Sequence, residues 1–117
     1  MNFEEFYSYC QDKKGVKVDF PFDERTLTFK VGGKIFAITD IQQFHSINLK
    51  CDPEKAIDLR ERYASIIPGF HMNKKHWNTV ILGNDADDQL VKELIDHSYA
   101  LVLNALSKKL RNEIEVG

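Results

Sequence analysis

Apolar residues first recur along this chain at Phe3, Phe6, Tyr7 and Cys10, the i, i+3, i+4, i+7 spacing of one helical face. Asn2 and Glu5 have the capping-box spacing, in which each side chain accepts a bond from the other residue's orphaned backbone N–H. The pattern predicts a helix ending near Gln11. Polar Asp12-Lys13-Lys14-Gly15 reads as a turn, and Phe20-Pro21-Phe22-Asp23 as an ordered loop pinned by its rings. From Thr26 the period becomes two, with Leu27, Phe29 and Val31 alternating against Thr28 and Lys30 as in a half-buried strand. Gly32-Gly33 supplies the positive-φ positions of a tight hairpin turn. Such a turn pairs Phe29 with Phe36 and Leu27 with Ile38, leaving Thr28, Lys30, Ile35, Ala37 and Thr39 on the reverse face. A third strand is expected over Ser46 to Lys50, with Ile47 and Leu49 inward, so one face of the sheet looks wet.

Asp52-Pro53-Glu54 is a helix start: Asp accepts from free N–H groups, Pro loses nothing at the first position, and Glu suits the positive dipole end. Ala56, Leu59, Tyr63 and Ile67 form its buried stripe, and Pro68-Gly69 stops it. Phe70-His71-Met72 and Trp77 to Leu82 read as the strands of a second hairpin with a basic tip at Asn73-Lys74-Lys75-His76. Acidic Asp85, Asp87 and Asp88 open the last helical region, where apolar residues from Leu90 to Leu106 hold one face over about five turns. Lys108, Lys109 and Arg111 are expected to close it, as one long helix or two shorter ones. The order α-β(3)-α-β(2)-α predicts an α+β fold of two layers, an antiparallel sheet with helices packed on one side.

Composition narrows the partners without naming one. At 117 residues the chain is expected to form a single domain over 1–117, with 43% hydrophobic and 29% charged residues. No apolar run approaches the roughly 20 residues of a membrane span. The formal net charge of −2 means that a nucleic-acid surface has to arise from local segregation of charge. The segment Met1-Asn2-Phe3-Glu4-Glu5 lacks a basic and then apolar leader, which implies a cytoplasmic protein. Cys10 and Cys51, in no C-x-x-C, are read as reduced thiols. A monomer is expected.

The strongest candidate chemistry lies in His71-Met72-Asn73-Lys74-Lys75-His76-Trp77-Asn78-Thr79. Lysines neutralise phosphates, and a Trp ring can stack on or wedge between bases. The structural alternative, and the expectation for Trp77 itself, is a solvated turn whose Trp77 anchors the core by packing on a neighbouring helix with only its indole N–H near a polar partner. Lys30, Lys34 and Lys50 could extend the same positive surface. His71, His76 and Cys51 are metal-ligating types without a recognised spacing or a fourth ligand, so no metal and no cofactor are expected. Asp96-His97-Ser98 contains the residue types of a hydrolase triad, but successive helical residues point about 100° apart and cannot form a relay. His97 or Ser98 is expected instead to satisfy a backbone group where the helix bends. Gly32-Gly33-Lys34 is not a phosphate-binding loop. With no assignable nucleophile, base and oxyanion donor, the chain is expected not to be an enzyme.

Five segments together resemble the MmcQ/YjbR family of small bacterial proteins. They are Pro21-Phe22-Asp23; Val31-Gly32-Gly33-Lys34-Ile35-Phe36-Ala37; Asn48-Leu49-Lys50-Cys51-Asp52-Pro53-Glu54; Pro68-Gly69-Phe70 through Val80; and Leu94-Ile95-Asp96-His97-Ser98-Tyr99. Ile35 stands where many relatives have Met, and Phe70 where many have Tyr. The resemblance implies a fold similar to secretion chaperones, and DNA binding through projecting hairpins that look like a double wing. DNA contacts would then fall on Lys34, Lys50, Lys74 and Lys75 for phosphates, with Asn73 or His76 near base edges. The alternative is a chaperone-like module that binds a partner polypeptide.

Overall fold

Helix α1 (Phe3–Gln11) starts where the pattern places it, with the Asn2 side chain accepting from the Glu5 amide and Glu5 reaching back to the Asn2 amide. In the computed structural model, which describes all residues from Met1 to Gly117, the chain then turns at Gly15 into a short strand, β1 (Val16–Asp19). This strand is absent from the predicted order. Four residues at a sheet edge, Val16 and Val18 alternating with Lys17 and Asp19, carry too short a period to register. β2 (Thr26–Val31) and β3 (Lys34–Asp40) are joined by Gly32 and Gly33, at φ +58° and +80°. Both glycines thus occupy the left-handed region that the turn demands.

The predicted register holds only beside the turn, where Val31 faces Lys34 and Lys30 faces Ile35. Beyond it Phe29 faces Ala37 and Leu27 faces Thr39, because Phe36 is an extra residue in β3. The bulge lets Phe36 and Ala37 both bury fully, which a regular alternation forbids. Ala37 and Thr39 therefore join the core face, and Ile38 moves to the opposite one.

β4 (Ser46–Lys50) buries Ile47 and Leu49 as expected. Helix α2 (Pro53–Arg62) is capped by Asp52 and buries Ala56 and Leu59. It stops earlier than the stripe predicts. Asp85 accepts from the amides of Ala64 and Ser65 at 2.7 and 3.1 Å, pulling the chain out of helical geometry into β5 (Ile66–Pro68). The second hairpin is thus β5 paired with β6 (Trp77–Ile81), and Phe70-His71-Met72 belongs to the long loop 69–76 between them, not to a strand. Asp87 caps α3 (Asp88–Ala105), which runs unbroken through His97 to Tyr99 and buries Val91, Leu94, Ile95, Ser98 and Val102. The interruption falls at Leu106, and Ser107 caps a separate α4 (Lys108–Val116). Lys108 and Lys109 consequently open a helix; they do not close one.

All six strands form one antiparallel sheet in the order β1-β2-β3-β4-β6-β5. The fold is α+β, with helices packed over the face that carries Phe29, Phe36, Ile47 and Val80. Phe6 of α1 meets Phe29 edge-on at 5.4 Å, and Tyr99 of α3 meets Phe36 at 5.3 Å. The opposite face is drier than the pattern implies. Thr28, Ile38 and Thr79 are buried on it, and loop 69–76 folds over it through a 3.0 Å bond from the Phe70 amide to the Thr79 hydroxyl. No helix is long and apolar enough to cross a membrane.

Candidate functional site

The extra residue in β3 does more than fill the core. After Ala37 faces Leu49, the ladder between β3 and β4 stops, and the Ser98 hydroxyl enters between the strands. It donates to the Phe36 carbonyl at 2.5 Å and accepts from the Lys50 amide at 2.9 Å. The two strands diverge beyond that point. A cleft of about 570 Å³ opens there, reaching from the outer face of the sheet to Val102 of α3 and to Leu106 just after it.

Lys30, Lys34 and Lys50 line this cleft together with Trp77 and Phe22. Alternation places them there: Trp77 pairs with Lys50 on the outer face, while its neighbour Asn78 turns inward. Lys30 is held by Asp19 at 3.1 Å, whereas Lys34 and Lys50 form no ion pair. The Thr28 hydroxyl, and after it Lys30, keep the Asp19 carboxyl below the usual carboxylate range. A second depression of about 480 Å³ shares Phe22 and Ile35 with the cleft and continues over the sheet to Phe70 and His71. Phe22 and Phe70 are 68% and 66% exposed beside this continuous groove. The rings of the 20–23 segment therefore do not pin their loop; Asp23 does, accepting from the Arg25 and Thr26 amides at 2.8 and 2.6 Å.

Trp77 is not the core anchor that the structural alternative requires. It is half-buried, lies outside the core and lines the cleft, because the inward position on β6 belongs to Asn78. Gly69 makes room for it: an added Cβ there would sit 2.8 Å from the Trp77 Cβ.

The hairpin residues divide by role. The Asn73 carboxamide oxygen accepts from the Lys75 amide at 2.9 Å, and Lys74 Nζ donates to the Gly69 carbonyl at 3.3 Å, so both shape their own loop. Lys75 is exposed and His76 half-buried next to Trp77. Beneath the loop, Arg60 donates from Nε to Asn78 Oδ1 at 2.7 Å and from Nη2 to the Trp77 and Lys74 carbonyls. Lys34 and Lys50 thus share one cleft, whereas Asn73, Lys74 and Lys75 lie on the loop at its side. His71, at φ +58°, sets its ring against that of Phe70 at a tilt of 57° with centroids 4.1 Å apart, while Cys51 is buried. Burial pushes the Cys51 thiol up to about 11 and the Cys10 thiol higher still, so neither is a thiolate at neutral pH.

The three residues Asp96, His97 and Ser98 serve three separate partners. Asp96 accepts from the Tyr9 hydroxyl at 2.7 Å and pairs with Lys13. His97 Nε2 accepts from the Asp52 amide at 3.1 Å, and Ser98 divides the strands. As expected, His97 and Ser98 satisfy backbone groups, but those of the sheet and the α2 start, not of a helical bend.

A model of the YjbR family matches residues 11–101. The chain belongs to the YjbR family. It is 39% identical over 103 residues to Escherichia coli O157:H7 YbdF, covering 87% of this chain and 84% of that one. It is 31% identical over 112 residues to YjbR of Escherichia coli K12, covering 95% of both. The crystal structure of Deinococcus radiodurans DR2400, a DUF419 domain, superposes with a TM-score of 0.91 at 39% identity, over 96% of this chain and 86% of that one. A Pseudomonas syringae protein superposes at 0.74 with 29% identity, over 87% and 99% of the two chains.

In this YjbR chain the sequence pattern misses Phe22 as a cleft residue, Arg60 as the clamp under the loop, and Ser98 as the wedge. Only Ser98 left a readable trace, as a polar residue on the buried stripe of α3.

Proposed function

We propose that this chain is a non-enzymatic DNA-binding protein that takes the phosphate backbone along the cleft between β3 and β4. The observation that carries the reading is the convergence of Lys30, Lys34 and Lys50 on the half-buried Trp77 ring in a chain of net charge −2. Two of these lysines, Lys34 and Lys50, are unpaired, and free cations around a concave aromatic site suit a ligand with both phosphates and π-faces. Lys34 and Lys50 make the principal phosphate contacts, and exposed Lys75 with His76 extends the path at the rim. Lys74 and Asn73 contribute by shaping the loop.

The test is fluorescence anisotropy of a labelled DNA oligonucleotide at two salt concentrations. Two or three neutralised phosphates give a log-log salt slope of about −2 to −3. Lys34→Gln with Lys50→Gln is expected to weaken binding and reduce that slope, and binding without salt dependence refutes the reading. A polypeptide ligand is the second reading, favoured by the exposure of Phe22 and Phe70 along the same groove.

A further inference from the structure

We infer that the nucleic acid this cleft accepts is single-stranded, with one base seated on the Trp77 ring between the diverging ends of β3 and β4. The inference rests on the DNA-binding reading above and adds the form of the strand. Shape is the first reason. The lysines sit in a concavity flanked by the exposed Phe22 and by loop 69–76, and Ser98 holds the strands apart at its base. A stacked base pair in a duplex keeps its faces covered by its neighbours, so a recessed ring cannot reach one without opening the helix. An unstacked base presents its π-face freely.

Charge is the second reason. B-DNA carries one negative charge per about 1.7 Å of axis. Only Lys34 and Lys50 of the cleft lack an acidic partner, and Asp19 and Asp40, paired with Lys30 and Arg25, lie on the same face to either side. A long duplex laid over this face would set its phosphates over ion pairs that offer no net positive charge, whereas a short single strand needs only the two free lysines. The spacing of aromatics is the third reason. Phe22 stands at the junction of the two depressions and Phe70 at the far one, so a strand leaving Trp77 along the groove meets further rings. That is the arrangement by which single-strand binders combine stacking with a basic track.

Trp77 is the sole tryptophan, so its own emission reports on the site. The experiment titrates the full chain with a mixed-sequence 12-nucleotide single strand, a blunt duplex of the same sequence, and poly-glutamate. The single strand is expected to quench Trp77 and to bind at least about tenfold more tightly than the duplex, with a salt slope near −0.7 per phosphate. Measured by anisotropy of the labelled strand, Trp77→Ala is expected to weaken binding about tenfold or more, and Trp77→Phe to retain most of the affinity. Circular dichroism identifies any variant that fails to fold, and Trp77→Phe then decides the role of the ring: affinity lost in folded Trp77→Phe refutes stacking. Duplex affinity equal to or above that of the single strand overturns this inference while leaving DNA binding intact. If neither nucleic acid binds, both readings fall, and quenching by poly-glutamate equal to that by DNA replaces both with an acidic polypeptide ligand.

Discussion

Ser98 donates its hydroxyl proton to the Phe36 carbonyl, 2.5 Å away, at the place where β3 carries its extra residue. The same oxygen accepts from the Lys50 amide, so one helical side chain satisfies a donor and an acceptor that a regular ladder would have joined directly. Replacement Ser98→Ala strands both groups in a buried site. The expected loss is about 2–4 kcal/mol by urea denaturation, from two unsatisfied backbone groups. A loss below about 1 kcal/mol would show that the strands close and pair without the wedge.

Arg60 offers a planar fork to the Asn78 side chain and to the carbonyls of Trp77 and Lys74. A lysine has one compact head and cannot serve these acceptors together. Arg60→Lys should therefore cost about 1–2 kcal/mol and speed hydrogen exchange at the His76 and Trp77 amides. Unchanged exchange at those amides would mean that the loop holds itself.

Gly69→Ala tests the seating of the indole. The new Cβ would lie 2.8 Å from the Trp77 Cβ and 3.0 Å from its carbonyl oxygen, distances that force backbone movement. The variant is expected to lose about 1–3 kcal/mol, as for other overpacked sites, and to shift Trp77 emission to the red as the ring lifts into water. Emission identical to the parent's would place the strain elsewhere.

His97 makes stability depend on pH. Burial first, and the Lys55 charge second, hold its imidazole below the ordinary value, and its Nε2 must be unprotonated to accept from the Asp52 amide. The unfolded chain then binds the proton more readily than the folded one. The contribution is complete above the unfolded value of about 6.5 and is lost as pH falls through it toward the lower folded value. His97→Gln should flatten the stability profile over that interval in denaturant titrations at stepped pH; an unchanged profile assigns the dependence to another group. Asp85, whose carboxyl is lowered chiefly by the Ser65 hydroxyl, acts with the same sign but nearer the ordinary Asp value of about 3.9.

What could be read from the sequence follows from where the signal is local. The capping box at Asn2, the Asp52-Pro53 start and the Gly32-Gly33 turn each state their geometry within a few residues, and each is found. The bulge at Phe36 is not local. Its cause is the joint burial of Phe36 and Ala37 against helices distant in the chain, and strict alternation hides it. β1 escaped because an edge strand of four residues hardly differs from loop, and the end of α2 because its cause, Asp85, lies 20 residues beyond Ser65. For the site, the lysine types and Trp77 were legible. The face on which Trp77 falls was not, because the strand offers two rows with apolar members, Trp77 with Ile81 and Asn78 with Val80, and the polar Asn78 is accepted on the buried row through its bond from Arg60.

The Gly32 turn bears on how Lys34 is held. An added Cβ on Gly32 would meet Leu106 Cδ1 at 2.5 Å, so the turn rests bare backbone directly on the joint between α3 and α4. A hairpin tip seated this way is braced from below, as Lys50 on the opposite wall is braced through its amide by Ser98. Both basic walls of the cleft are thus underpinned by α3 and the joint that follows it.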